Sequence, residues 1–352
     1  MSLDSHAELE RLARELEVDV DALAGLHDVG TDGLRRLRHL VSNALHDEHH
    51  QAFQRAAQAS VLLPVALTAK LSETLIGPYL SSRIAAEMAP ERSVKLAKHL
   101  SVDFLADVCL SLDPSRVADT VRGLPDQRVV AVGLELLRRE EYTTLGKFVD
   151  VVNRPVLVAV AAAVTTGPAL VGIAFAIEAH HRLDDLIGLL DDDRLDLLVA
   201  TALERGQLLT ALALMSHLSP DNRRRAINVD AMARGDVLRD VVAAADAEDL
   251  WPVVLPLVAM LDDDRLEALA SLDDLLTPDL VARLAMAAAT DPDLWEPLVH
   301  TMGRVPADRQ VAIADVIADT DGLDPNALLS LIALAPEAAD LPGVVALRER
   351  LA

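Results

Sequence analysis

Apolar residues recur along almost the whole chain at spacings of three and four, as in Leu9, Leu12 and Leu16 or in Val237, Val241, Val242 and Ala245. That period places them on one stripe of an α-helix, and the alternation of a half-buried strand is not sustained anywhere. The stripes are cut short by capping residues and prolines. Ser5 with Glu8 forms a capping box, and Thr277-Pro278-Asp279 puts a proline in the first turn behind a threonine cap. Pro78, Pro90, Pro114, Pro125, Pro220, Pro292, Pro306 and Pro325 stand at similar entries. The pattern predicts an all-α chain of about twenty short helices, typically about 9–16 residues each.

The helix entries resemble one another. Pro125-Asp-Gln-Arg128, Pro220-Asp-Asn-Arg223 and Pro306-Ala-Asp-Arg309 share Pro-x-x-Arg, and Pro90-Glu-Arg92 and Pro114-Ser-Arg116 share Pro-x-Arg. The string Leu-Asp-Asp-Asp-Arg-Leu occurs at 190–195 and again at 261–266. Repeated entries ahead of similar apolar helices predict helical hairpins stacked into a solenoid, where each unit buries its face against the next. The run from Leu112 to Arg128, followed by the apolar stretch Val129 to Leu137, resembles the cytosolic N-terminal domain of MgtE-type magnesium transporters. The resemblance covers 87–152 and, more loosely, 182–335. It implies a right-handed superhelix of short stacked hairpins, as in the related middle region of flagellar motor switch proteins. It implies fold only, because the transporter portion and the paired nucleotide-binding modules of that family have no counterpart here.

Two stretches are nearly free of charge. Ala56–Ala69 has none, and only Lys70 and Glu73 interrupt the run to Ser82; Pro155–Ile177 has none over 23 residues. The second is long enough to span a bilayer. Its centre, however, is Thr165-Thr166-Gly167-Pro168, a turn signal, and it lacks the aromatic belt and basic flank of a span. Two short buried helices, 156–164 and 169–179, are predicted instead. Leu63, Leu67, Leu75, Val156, Val160, Leu170 and Phe175 on these stretches could line a cavity for a lipid-like ligand or a groove for a partner's amphipathic helix.

Charge sharpens this picture. The chain of 352 residues carries 32 basic and 56 acidic side chains, a net charge of −24. A polyanion disfavours nucleic acid and anionic membranes, and with 2% aromatic residues base-stacking platforms are scarce. Half the residues are hydrophobic (51%), too many for a disordered chain. The net charge is −5 over 1–60, zero over 61–154 and −19 over 155–352. These three stretches are the expected segments: an N-terminal helical part, a neutral repeat half and an acidic repeat half. The acidic start of the chain lacks the pattern of a secretory signal, and the single Cys109 excludes an internal disulfide, so a cytoplasmic protein is expected. Arginine outnumbers lysine 28 to four, which we read as a bacterial, GC-rich coding bias.

Candidate chemistry is sparse. Six of eleven histidines fall in the first 50 residues, and His39, His46 and His50 share one face of a predicted helix. His46 and His50, four apart, suit two ligands of one metal ion. Asp191–Asp193 and Asp262–Asp264 could attract a hard cation, but acids at a helix start more often cap its amides. Cys109 follows acidic Asp103 and Asp107 in an apolar helix, a poor setting for a reactive thiol. Glycine-rich phosphate loops, serine nucleophile elbows and His-Glu-x-x-His are absent, and no cofactor is expected. The leading expectation is a non-enzymatic scaffold or regulator that receives a protein partner in a groove, its acidic half selecting a basic partner. A carrier of an apolar ligand near 56–82 and 155–177 is the alternative, and a metal-dependent enzyme built on the histidine face comes third.

Overall fold

The computed structural model describes the backbone of residues 50–270, 291–319 and 339–351 throughout, together with parts of 9–40 and 272–288. Among the described residues every regular element is helical and none is a strand. The capping box at Ser5, Pro325, and residues 32, 38, 39 and 41–49 of the helix predicted over 31–60 lie outside the described residues. The chain divides into two units. One comprises Met1–Ala202 and Leu209–His217, the other Leu203–Leu208 and Leu218–Ala352. The charge step near residue 154 falls inside the first unit.

In the first unit the helices are α1 (His50–Ser60), α2 (Val65–Leu71), α3 (Pro78–Ala86), α4 (Pro90–Ala97), α5 (Val102–Leu110) and α6 (Ala118–Gly123). Then follow α7 (Asp126–Arg138), α8 (Tyr142–Phe148), α9 (Arg154–Ala163), α10 (Gly167–Ala176), α11 (His180–Ile187) and α12 (Asp192–Glu204). They are shorter than the periodicity predicts, from 6 residues in α6 to 13 in α7. The prolines explain this. Pro78 and Pro90 open α3 and α4, where a missing N–H costs nothing, and each forbids the preceding helix from running on. Side-chain caps add to the punctuation: Ser101 Oγ accepts the Phe104 N–H, and in the second unit Thr277 Oγ1 accepts the Leu280 N–H at 3.3 Å, as its sequence predicts.

Most of these helices rest on the next but one. α1 packs on α3, α3 on α5, α5 on α7 and α7 on α9; α2 packs on α4, α4 on α6, and α8 on α10. This is the packing of stacked hairpins, with odd-numbered helices in one layer and even-numbered ones in the other. Buried Leu96, Leu100, Phe104 and Val108 with Ala69 form one apolar cluster, and Val117, Phe148 and Val151 another.

The arginines of the repeated entries have a common structural task. Arg92, in the first turn of α4, donates through Nη2 to the carbonyls of Ser60 (2.6 Å) and Leu63 (2.7 Å) at the end of α1. Arg128, in the first turn of α7, donates in the same way to Ala97 and Leu100 at the end of α4. Arg182 of α11 reaches Val152 after α8 (3.0 Å), and Arg194 of α12 reaches Ala161 of α9 (2.9 Å). In each case the arginine of one helix donates to carbonyls at or just beyond the end of the helix three earlier, where the last turn lacks a full set of intrahelical donors. Within the second unit Arg265 likewise donates to Val229 at 2.9 Å and Arg309 to Leu272 at 3.4 Å. Arg194 and Arg265 are the arginines of the two Leu-Asp-Asp-Asp-Arg-Leu strings, so the repeated string encodes a repeated clamp. Arg116 departs from the rule and pairs locally with Asp113 at 3.6 Å.

The charge-free stretch forms two helices joined by a turn at 164–166, close to the predicted division. No helix among the described residues is long and apolar enough to cross a membrane. The two helices differ in burial. α10 is buried all round, with Ala169, Leu170, Val171, Ile173, Ala174 and Phe175 enclosed, whereas α9 buries Val156, Leu157 and Ala161 and exposes Val158. His180 and His181 open α11, and the His180 ring lies tilted against that of His217 with centroids 3.8 Å apart.

Candidate functional site

Between the two layers of the first unit lies a partly enclosed apolar cavity of about 420 Å³. Every helix from α1 to α11 contributes to its wall, from Ala56 and Ala59 on α1 to Ile173 on α10 and Leu186 on α11. The sequence builds it simply. The helices present Ala, Val, Leu and Ile stripes to one another, and the scarcity of aromatic residues leaves no side chain large enough to bridge the two layers.

Few polar groups face this space. Ser60 Oγ donates to the Ala57 carbonyl (2.6 Å) and Thr68 Oγ1 to that of Pro64 (3.2 Å), so both are satisfied within their own helices. Ser81 Oγ and Ser93 Oγ, from α3 and α4, line the cavity with no hydrogen-bond partner, and Ser93 is only 5% exposed. Arg128 lines it as well. Its Nη2 is committed to the two carbonyls of the clamp, its Nε has no partner, and it forms no ion pair among the described residues. Cys109 also lines the wall. Desolvation pushes its thiol up to about 12, so the thiol stays protonated and unreactive. The acids beside Cys109 in sequence serve elsewhere: Asp107 and Asp103 both pair with Arg139, which caps the end of α7, at 2.6 Å and 3.0 Å.

The seven residues expected at an apolar site separate into three groups. Leu63, Val156 and Val160 line the cavity. Leu170 and Phe175 are buried in α10 away from it, and Leu67 and Leu75 are exposed. Leu75 belongs to a π-helical turn, Ser72–Ile76, closed by Gly77 N–H donating to the Ser72 carbonyl five residues back. Ser72 and Ile76 of this turn line the cavity, while Glu73 anchors it by accepting the Ser101 N–H at 2.6 Å. That hydrogen bond, a second from the Ser101 side chain and the more distant Arg128 hold the Glu73 carboxyl below its ordinary range. Around the turn is a run of exposed apolar side chains, Val61, Leu62, Leu67, Leu75, Tyr79 and Leu80, with Leu62 and Leu75 at 86% and 78% exposure.

The other candidates have plainer settings. His39 and His46 lie outside the described residues, as does the side chain of His50 at the start of α1. No metal-sized cluster of His, Cys, Asp or Glu occurs among the described residues. Asp191 caps α12 by accepting the Arg194 N–H at 3.0 Å, and Asp263 pairs with Arg304. Sequence reasoning placed Arg128 in a helix-start motif and overlooked Ser81 and Ser93 altogether. Neither serine carries a sequence signal, since exposure to a cavity depends on how far apart two layers stand. Comparison of the chain with family models, curated proteins and solved structures returned no match.

Proposed function

We propose that the first unit binds an elongated apolar ligand between its helical layers and that the protein is a non-enzymatic carrier or ligand-responsive regulator. The cavity carries this reading. It is large enough for a small-molecule site, almost wholly apolar, and framed by helices fixed to one another through arginine clamps. The test is native mass spectrometry of the full chain, followed by titration with the neutral apolar fluorophore N-phenyl-1-naphthylamine. A saturable site that disappears in Val132→Phe, a substitution inside the wall, is the expected result. A clean apo mass together with no saturable fluorophore binding would sink the reading.

A second reading, a scaffold for a protein partner, is favoured by one observation, the exposed apolar run at 61–80. Contiguous exposed apolar surface is what an interaction site presents. On this reading a partner's amphipathic helix covers Leu62 and Leu75. A Leu62→Asp/Leu75→Asp variant then loses the partner in a pull-down while keeping fluorophore binding, and retention of the partner would count against it.

A further inference from the structure

We propose that the occupant of the cavity is a long-chain carboxylate whose head group seats against Arg128 and Ser93; the inference rests on the carrier reading above and names its ligand. Three observations converge on it. The first is the balance of donors and acceptors. The unsatisfied polar atoms at the wall are the Arg128 Nε–H and the hydroxyls of Ser81 and Ser93. Hydroxyls donate or accept, but a guanidinium only donates and stays charged at every accessible pH. A group that suits the set must therefore be an acceptor, and preferably an anion.

The second observation is charge. Arg194 and Arg265 make the same carbonyl clamp, and each is neutralised by a carboxylate, Asp191 at 3.0 Å and Asp230 at 2.8 Å. Arg182 also has Asp185 nearby, at 3.5 Å. Arg128 has no such partner among the described residues; Glu73, whose carboxyl feels its charge, spends its own oxygen on Ser101. An unpartnered Nε is not by itself the signal, because Arg92 and Arg182 share it. Those two do not line the cavity, and Arg128 does. Ser93 stands one helical turn before Ala97, whose carbonyl Arg128 grips, so hydroxyl and guanidinium belong to the same stretch of wall.

The third observation is size. At ~30 Å³ for a water, and much the same for a methylene, 420 Å³ matches about fourteen such groups, and because the cavity is only partly enclosed the last few groups of a slightly longer chain sit in its opening. That is one alkyl chain and not two. The wall beyond the head-group region is apolar, aliphatic but for Phe148, which suits a saturated chain and offers little to a second polar end.

The experiment uses the full chain freed of endogenous ligand, with palmitate, hexadecanol and methyl palmitate competing against N-phenyl-1-naphthylamine. Palmitate is expected to bind at least about tenfold more tightly than the two neutral probes, the lower end for a hydrogen bond to a charged group. Arg128→Met should abolish that preference while changing hexadecanol affinity by no more than about twofold. Arg265→Met, which removes an equivalent clamp in the second unit, should leave the preference intact. Should Arg128→Met fail to fold, Ser93→Ala still tests the site, with a loss of a few-fold for palmitate and none for hexadecanol. Equal binding of palmitate and hexadecanol by the wild-type chain, or a preference that survives Arg128→Met, overturns the carboxylate assignment while the carrier reading stands. Failure of every probe, the fluorophore included, overturns both.

Discussion

The first unit contains two contrasting ways of stacking helices. At the α8–α10 crossing the helices meet backbone to backbone: a Cβ added at Gly146 would lie 2.5 Å from the Ala176 Cβ and from the Ile173 carbonyl, and one at Gly172 2.7 Å from the Tyr142 Cβ. From α1 to α7 the facing residues carry side chains in place of these glycines, the layers stand apart, and most of the cavity wall is theirs, α8 and α10 adding only Leu145, Phe148 and Ile173. Side-chain size at the interface therefore has opposite consequences in the two regions. Small residues let layers close, and medium aliphatic residues without an aromatic partner prop them open without filling the gap.

The contrast is broken most directly by moving bulk from one region to the other. Gly146→Leu drives a side chain into the α10 backbone, which cannot yield as a flexible side chain would. It is expected to cost about 3 kcal/mol or more, or to prevent folding, as read by chemical denaturation. Val132→Phe adds comparable bulk to the cavity wall. There it should cost no more than about 1 kcal/mol, because the ring enters unoccupied space, and it should abolish fluorophore binding. If the two variants lose stability equally, the layers between α1 and α7 are closed in solution and the contrast fails.

Much of this was legible in the sequence, though unevenly. Periodicity and proline placement gave the helices, and the turn at Thr165–Pro168 gave the division between α9 and α10. The Pro-x-x-Arg entries marked Arg128 and Arg309 as a recurrent feature. What they do depends on carbonyls about thirty residues earlier, which no local pattern specifies. Burial was the hardest part. Leu75 and Phe175 occupy equally apolar stretches, yet one faces out from a π-turn and the other is enclosed in α10. Apolar character states that a side chain can be buried; only the spacing of the layers decides whether it is packed, exposed or left facing a void.

Where the layers stand apart, polar straps across their surface carry more of the burden. α5 and α7 are tied by Arg139, which reaches Asp103 and Asp107 on α5 and Glu135 one turn back on α7. Hydrogen bonds from Arg138 and then Arg139 lower the Glu135 carboxyl from its ordinary 4.5 to about 2. A carboxyl depressed on folding stabilises the fold above its unfolded value, and that contribution is lost as pH falls toward the folded one. The melting temperature of the wild type should therefore exceed that of Glu135→Gln at neutral pH, and the gap should close between about pH 4.5 and 2. A gap that persists unchanged at pH 2 would assign the difference to packing instead. The network lies at the surface, with Arg138, Asp103 and Asp107 exposed and Glu135 and Arg139 half-buried, so solvent screening should keep the effect smaller than either change of bulk.

The smallest effect concerns the turn that leads from the open region into the tight one. Glu140, between α7 and α8, holds φ at +61°, and Asp249 in the second unit holds +54°. Both complete the same left-handed helix ending: Glu141 N–H donates to the Leu136 carbonyl at 3.0 Å and Leu250 N–H to that of Ala245 at 2.9 Å. Glycine adopts this conformation without the Cβ conflict that a glutamate suffers, at some entropic cost in the unfolded chain. Glu140→Gly is therefore expected to stabilise the protein by about 0.5–1 kcal/mol. Aspartate tolerates the left-handed region better than glutamate, so Asp249→Gly should gain less. Equal gains at the two sites would mean that the side chain's own tolerance is immaterial, and a loss at Glu140 would show that the turn into α8 depends on a contact of the glutamate side chain and not on its backbone.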